Sequence, residues 1–321
     1  MYAELLGICT VYLVLEAEAL SALLTRTAFG EALLRAAPAG CPAFVLLAAA
    51  LVVPTVLLPD LAALSSLSAL SVGSAVAVGL ALAALCGSGA AAGAAAAATR
   101  LVAPETLAQV LGCVAFVYAG HSTFPVVQQS MRSPSKAPRV LAVSYLCVAA
   151  ICTAVAAFGY LLYGTGVADV ITASLPPGTA VAVACLVSTA VSPFAAFALT
   201  LEPVALALQR GVSRGSSRQP PYPVRAALRL GLGVACATAA AVLPYVADLM
   251  SLVGAVLTMT VSLVLPALMH VRLLGAELSP AGVACAGAVL LLGLLCAAVG
   301  AQSAIGSLRA KMAAAAAAAV V

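Results

Sequence analysis

Apolar residues run along this chain in long unbroken stretches rather than in amphipathic or alternating patterns. Nine such runs cover residues 2–24, 42–58, 62–86, 106–128, 139–163, 179–208, 226–246, 248–271 and 279–301. Each is apolar on all sides over about 20 residues, the length that crosses a hydrocarbon layer of roughly 30 Å. Short polar or Gly/Pro-bearing connections separate them, among them "GSGAAAGAAAAATR" at 87–100 and "RGVSRGSSRQPPYP" at 210–223. The pattern predicts an all-α polytopic membrane protein with about nine transmembrane helices in a single domain over residues 1–311. The Ala-rich tail, 312–321, is low-complexity and is expected to be disordered.

Composition sharpens this reading. Hydrophobic residues make up 64% of the 321 positions and charged residues only 7%, which excludes a soluble core with a polar surface. The net charge of +4 therefore describes loops at a lipid bilayer and not a nucleic-acid surface. Glu4 stands where a signal peptide would carry its basic region, and no cleavage-type ending follows. The ten cysteines lie mostly inside spans, with Cys41 near a boundary and no CxxC pair, and read as small buried hydrophobes. The two histidines sit on different spans with no acidic or thiol neighbour at ligand spacing, so neither a metal nor a cofactor is expected. No nucleophile and base stand at useful spacing, which argues against an intramembrane enzyme.

Charge asymmetry orients the chain. If the first run leaves the cytosol, the connections after runs 2, 4, 6 and 8 are cytosolic and hold Arg132, Lys136, Arg139, Arg210, Arg214, Arg218, Arg225, Arg229 and Arg272. The other side holds Arg26, Arg35, Arg100, Arg309 and Lys311. Nine basic residues against five favour this orientation, with the C-terminus in the lumen or exterior.

One span is interrupted. The stretch "AFVYAGHSTFPVVQQSM", residues 115–131, carries Gly120, His121 and Pro125 in its middle. Pro125 lacks an N–H and crowds the carbonyl of His121, while Gly120 relaxes the backbone, so the helix is expected to open over about 119–125. Freed backbone groups in hydrocarbon cost several kcal/mol each unless protein or cavity water satisfies them. Two readings follow: a break that lines a binding site, as in secondary transporters, or a proline kink held by neighbouring helices.

Polar residues at membrane depth bear on that choice. Glu16 and Glu18 sit in the first run, and a carboxylate there is costly enough to face a bundle interior or water. The two are about 200° apart on a helix, whereas Tyr12 is one turn before Glu16, giving a polar stripe of Tyr12 and Glu16. Glu18 either points elsewhere in the bundle or reaches the headgroups and Arg26. The sixth run, "VSTAVSPFAAFALTLEPVALALQR", is a second span expected to be broken, at Pro193 and Pro203. Ser188, Thr189, Ser192 and Thr200 either satisfy its loosened carbonyls or line a pathway. Glu202 is placed at the interface near Arg210.

The segments "YAELLGICTVYLVLEAEALSALL", "FVYAGHSTFPVVQQSMRSPSKAPRVLAVSY", "VSPFAAFALTLEPVALAL" and "LPYVADLMSLVGAVLTMTVSLVLPALMHV" resemble successive pieces of the amino acid/auxin permease family, in particular its plant-type vacuolar and vesicular amino-acid transporters. The likeness covers nearly the whole chain in order, and "YAGHSTFP" with "SMRSPSKAP" is its most specific part. It implies a LeuT-like (APC superfamily) helical bundle with a cytosolic N-terminus and lumenal C-terminus. It also implies a secondary active, proton-coupled transporter of neutral amino acids across a vacuolar or other endomembrane, with the plasma membrane as the alternative. Relatives begin with two further spans, the first of which supplies half of the substrate site, so an N-terminally truncated member is expected and the chain alone is expected to transport poorly. Ala195 and Ala196 follow Ser192-Pro193-Phe194 where relatives commonly place a Lys after an NPFT-like element. Glu18 and Ala19 stand at the Asp and Asn of an LEGDNL-like segment.

The substrate is expected beside Gly120, His121, Ser122 and Thr123, faced by Tyr12 and Glu16, with Ser192 opposite. Glu16 or His121 would carry the coupled proton, an imidazole titrating ordinarily near about 6.5. The alternative is a non-transporting truncated paralogue or an amino-acid-sensing membrane protein.

Overall fold

A computed structural model describes residues 1–25, 27–37, 42–57, 61–88, 99–100, 103–121, 124, 128–129, 131–176, 178–213, 220–274 and 277–318. In chain order its helices are α1 (Tyr2–Leu24), α2 (Ala28–Ala36), α3 (Ala43–Val52, continued by a 3₁₀ turn Val53–Leu57) and α4 (Leu61–Gly87). Then come α5 (Pro104–Val117), α6 (Ala137–Tyr163), α7 (Ala180–Val212) and α8 (Tyr222–Val242). The next span starts as α9 (Val246–Leu252), widens into two π-helical stretches, Val253–Thr258 and Thr260–Val264, and finishes as α10 (Leu265–Leu274). The last helix is α11 (Pro280–Ala318), which runs through residues 312–318 of the Ala-rich tail. Alanine is the best helix former, so the polar end of α11 passes into that tail with no residue to stop it.

Among the described residues, six helical segments are long and apolar enough to cross a membrane: Tyr2–Leu24, Pro134–Gly166, Ala180–Val212, Tyr222–Val242, Val246–Leu274 and Pro280–Ala314. Shorter apolar helices cover Ala43–Leu57, Ser71–Gly87 and Pro104–Val117. Helices are the expected form because, without water, an open strand leaves its backbone groups unpaired. Local chemistry sets several ends. Thr27 caps α2 and Thr179 caps α7, each hydroxyl accepting from the N–H three residues on, Gly30 and Ala182, at 3.2 Å. Gly164, with φ 57°, closes α6 in a conformation that favours glycine.

The chain forms two compact units, one of residues 1–8, 102–130 and 245–321, the other of residues 9–101 and 131–244. In the first, α5 packs against α9, the stretch Val253–Thr258 and α11. Glycines permit the approach: a side chain at Gly254 would collide with the Gly112 carbonyl, and one at Gly300 with the Ala255 methyl. In the second unit α4 packs against α7 and α6, burying Val78, Leu82, Leu162, Leu175, Ala182 and Cys185 together. There α8 lies on α3, its 3₁₀ extension and α7.

Two expectations change. The sixth run is not broken: α7 continues through both Pro193 and Pro203. Thr189 Oγ1 donates to the Cys185 carbonyl and Thr200 Oγ1 to the Ala196 carbonyl, both at 2.9 Å, a hydroxyl on the turn before each proline. Glu202, placed near Arg210 by sequence, instead meets Arg229 of α8 at 2.7 Å, and Arg229 also donates to the Val56 carbonyl at 2.9 Å.

Candidate functional site

The interrupted span ends its helix early. α5 stops at Val117, well short of the 20 or so residues a span needs. Tyr118 is a turn residue whose N–H still reaches the Val114 carbonyl at 3.4 Å. The chain then tightens: Ala119 N–H bonds the Phe116 carbonyl at 2.9 Å and Gly120 N–H the Tyr118 carbonyl at 2.8 Å. Residues 119–121 are not helical. A Cβ on Gly120 would lie 3.3 Å from the edge of the Phe124 ring, so little room is left there for a larger residue.

His121 stands at the end of this break. Its Nδ1 shares a 2.8 Å hydrogen bond with the Ser262 hydroxyl, and its ring lies 5.3 Å from that of Phe124 at 52°. Ser262 belongs to the second π-helical stretch, so within one unit the break of one span meets the irregular turns of another. π-helical turns are uncommon and concentrate at functional sites. A neutral Nδ1 accepts this bond from the hydroxyl, while a protonated Nδ1 donates to it, so the pair registers the charge of the ring. Ser262 was not singled out by sequence; the one signal was the polar "TVS" inside an otherwise apolar span. Ser122, Thr123 and Pro125 lie outside the described residues.

The other unit holds Tyr12, Glu16 and Ser192. Tyr12 and Glu16 lie one turn apart on α1, and the Tyr12 hydroxyl meets that of Thr200 on α7. Glu16 is 4% exposed, and its Oε2 has no hydrogen-bond partner among the described residues. Glu18 is half-buried. Ser192 contacts the Ser71 hydroxyl of α4. It also lines a cavity of about 730 Å³ together with Leu15, Ser74, Ser188, Thr189 and Asp169. That volume is within the roughly 300–1,000 Å³ of small-molecule pockets, and its wall is largely apolar with hydroxyls spaced along α7. Asp169 comes from the connection between α6 and α7, a segment the sequence did not mark.

Long apolar helices with buried ionisable groups inside them define a polytopic helical membrane protein. No described group resembles a catalytic pair. The chain belongs to the transmembrane amino acid transporter family, whose model matches residues 1–306. Amino acid transporter AVT1C of Arabidopsis thaliana is 30% identical over 314 residues, 97% of this chain and 56% of the relative. Amino acid transporter AVT1B of the same plant is 30% identical over 207 residues, 64% of this chain and 38% of the relative. Amino acid transporter AVT1J is 32% identical over 173 residues, 53% of this chain and 40% of the relative. The chain thus spans about half the length of these curated relatives or less. No solved structure matches it. The family and these relatives are transporters and not enzymes.

Proposed function

We propose that this chain moves neutral amino acids across an endomembrane in exchange or symport with protons, as part of a LeuT-like bundle. The observation that carries the reading is the early end of α5 at Val117, with His121 beyond it bonded to Ser262. The non-helical backbone at residues 119–121 can meet the charged ends of an amino acid, and the His121–Ser262 pair can hold a proton beside it. Glu16 is the second proton candidate, since a buried carboxyl oxygen without a partner is better accommodated neutral. Within the other unit, Ser192 and the neighbouring hydroxyls of α7 line a cavity of their own. Family membership and the names of the Arabidopsis relatives support amino acids as the cargo.

Uptake of a radiolabelled neutral amino acid into proteoliposomes under an imposed pH gradient tests this, with the protein expressed from its full-length transcript. Accumulation above protein-free vesicles that collapses with a protonophore is the expected result. Absence of any uptake with correctly inserted protein overturns it in favour of a non-transporting or sensing role. Gradient-independent uptake would overturn the proton coupling alone.

A further inference from the structure

Glu4 was read from sequence only as a residue unlike a signal peptide, yet the structure buries it. Its side chain lies inside the span Tyr2–Leu24 and is 1% exposed. Neither carboxylate oxygen has a hydrogen-bond partner among the described residues. The side chain beside it is Thr258, at the end of the first π-helical stretch, whose own hydroxyl is also buried without a partner. Thr258 is 2% exposed. The Glu4 carboxylate and the Thr258 hydroxyl face each other.

The helices are held in that register by small-residue packing in the same unit. Gly7 is one turn after Glu4, and a Cβ there would come 2.9 Å from Val253 Cγ2 and 3.6 Å from Leu257 Cδ1. Glu4 opposite Thr258 and Gly7 opposite Val253 and Leu257 are the pairs that an antiparallel crossing makes. This close crossing shields the carboxylate from water.

An unpaired carboxylate in such a place is strongly disfavoured, and the cost is removed when it takes a positive charge. A hard metal cation asks for about six or more oxygen ligands, and among the described residues the carboxylate and one hydroxyl converge here, so the donor set fits a proton. Glu16 and Glu18 are the other acids on the same helix, the Met1 amino terminus is the positive charge near Glu4, and the packed stretch Val253–Val264 carries no titratable side chain.

We propose that Glu4 and Thr258 form a proton-binding site separate from Glu16 and His121. The Glu4 carboxylate takes a proton from hydronium, leaving water, and the carboxylic acid so formed donates to Thr258 Oγ1. One O–H bond breaks and one forms, and no other bond changes. The site depends on the spanning helices and not on the transport reading.

Infrared difference spectra of the full chain in liposomes, recorded on acidification in H2O and D2O, test it without any uptake measurement. The wild type is expected to show a protonated-carboxyl C=O band that exchanges slowly. Glu4→Gln loses that band, Glu16→Gln keeps it, and Thr258→Val keeps it at a higher frequency because the acid loses its acceptor. Persistence of the band in Glu4→Gln, its loss in Glu16→Gln, or an unmoved frequency in Thr258→Val overturns the site. Should Glu4→Gln fail to fold, the Thr258→Val frequency decides alone.

Discussion

Replacing Arg229 by Met removes one guanidinium from two acceptors at once. Nη2 meets Glu202 Oε1 at 2.7 Å and Nη1 meets the Val56 carbonyl at 2.9 Å. The side chains are 20% and 18% exposed, so bulk water screens the pair only in part. With charge centres about 4 Å apart and an effective dielectric of about 20, the attraction is about 4 kcal/mol. Partial exposure lowers the realised cost of Arg229→Met to about 3 kcal/mol, because Glu202 is left without its partner. Glu202→Gln costs about 1 kcal/mol, since the amide oxygen still accepts from the guanidinium. In the double variant no charge is stranded, and the coupling is expected at about 2 kcal/mol. Unfolding in mixed detergent and SDS micelles measures all four corners of the cycle. Costs that add to within about 0.5 kcal/mol would show that the pair carries no energy and that the reasoning is wrong.

Three further outcomes are expected. His121→Ala and Ser262→Ala should each change the pH profile of uptake at matched membrane abundance, and an unchanged profile in both would remove the 2.8 Å pair from the mechanism. Gly254→Leu should destabilise the unfolding midpoint by roughly 1–3 kcal/mol through overpacking against the Gly112 carbonyl, while Gly287→Leu, which meets nothing within 4 Å, should not; equal behaviour would refute the packing argument. A cysteine at Ser216, in the basic segment outside the described residues, should be labelled only from the cytosol, and lumenal labelling would invert the topology.

The apolar runs were legible because a residue facing lipid or protein in a membrane is apolar either way, and run length alone marks the helix. A break was expected from Gly120 and Pro125, which act through their own backbone, one by freedom and the other by a missing donor, and residues 119–121 are non-helical, while Pro125 lies outside the described residues. The same argument failed at Pro193 and Pro203, where Thr189 and Thr200 bond backbone within an unbroken helix. Proline states what the helix lacks but not what its neighbours supply. Pairings between distant residues were not legible: Glu202 was assigned by nearness in sequence to Arg210, whereas its partner lies one helix further on. Ser262 was hidden for a related reason. Its importance comes from facing His121, 141 residues away, across a helix contact that no periodicity reports.

The widened turns between Val253 and Val264 hold more residues per turn than an α-helix of the same length would. Each residue of an α-helix corresponds to about 100° of rotation. Should one wide turn tighten, the segment Leu265–Leu274 must revolve about its own axis by that amount, carrying Arg272 with it, while the hydrogen-bonded ladder is merely renumbered. The span therefore has a rotary degree of freedom that requires neither a flexible joint nor any loss of helix. Thr258 and Ser262 lie within those widened turns. A change of winding there would therefore move the span as torque and not as tilt.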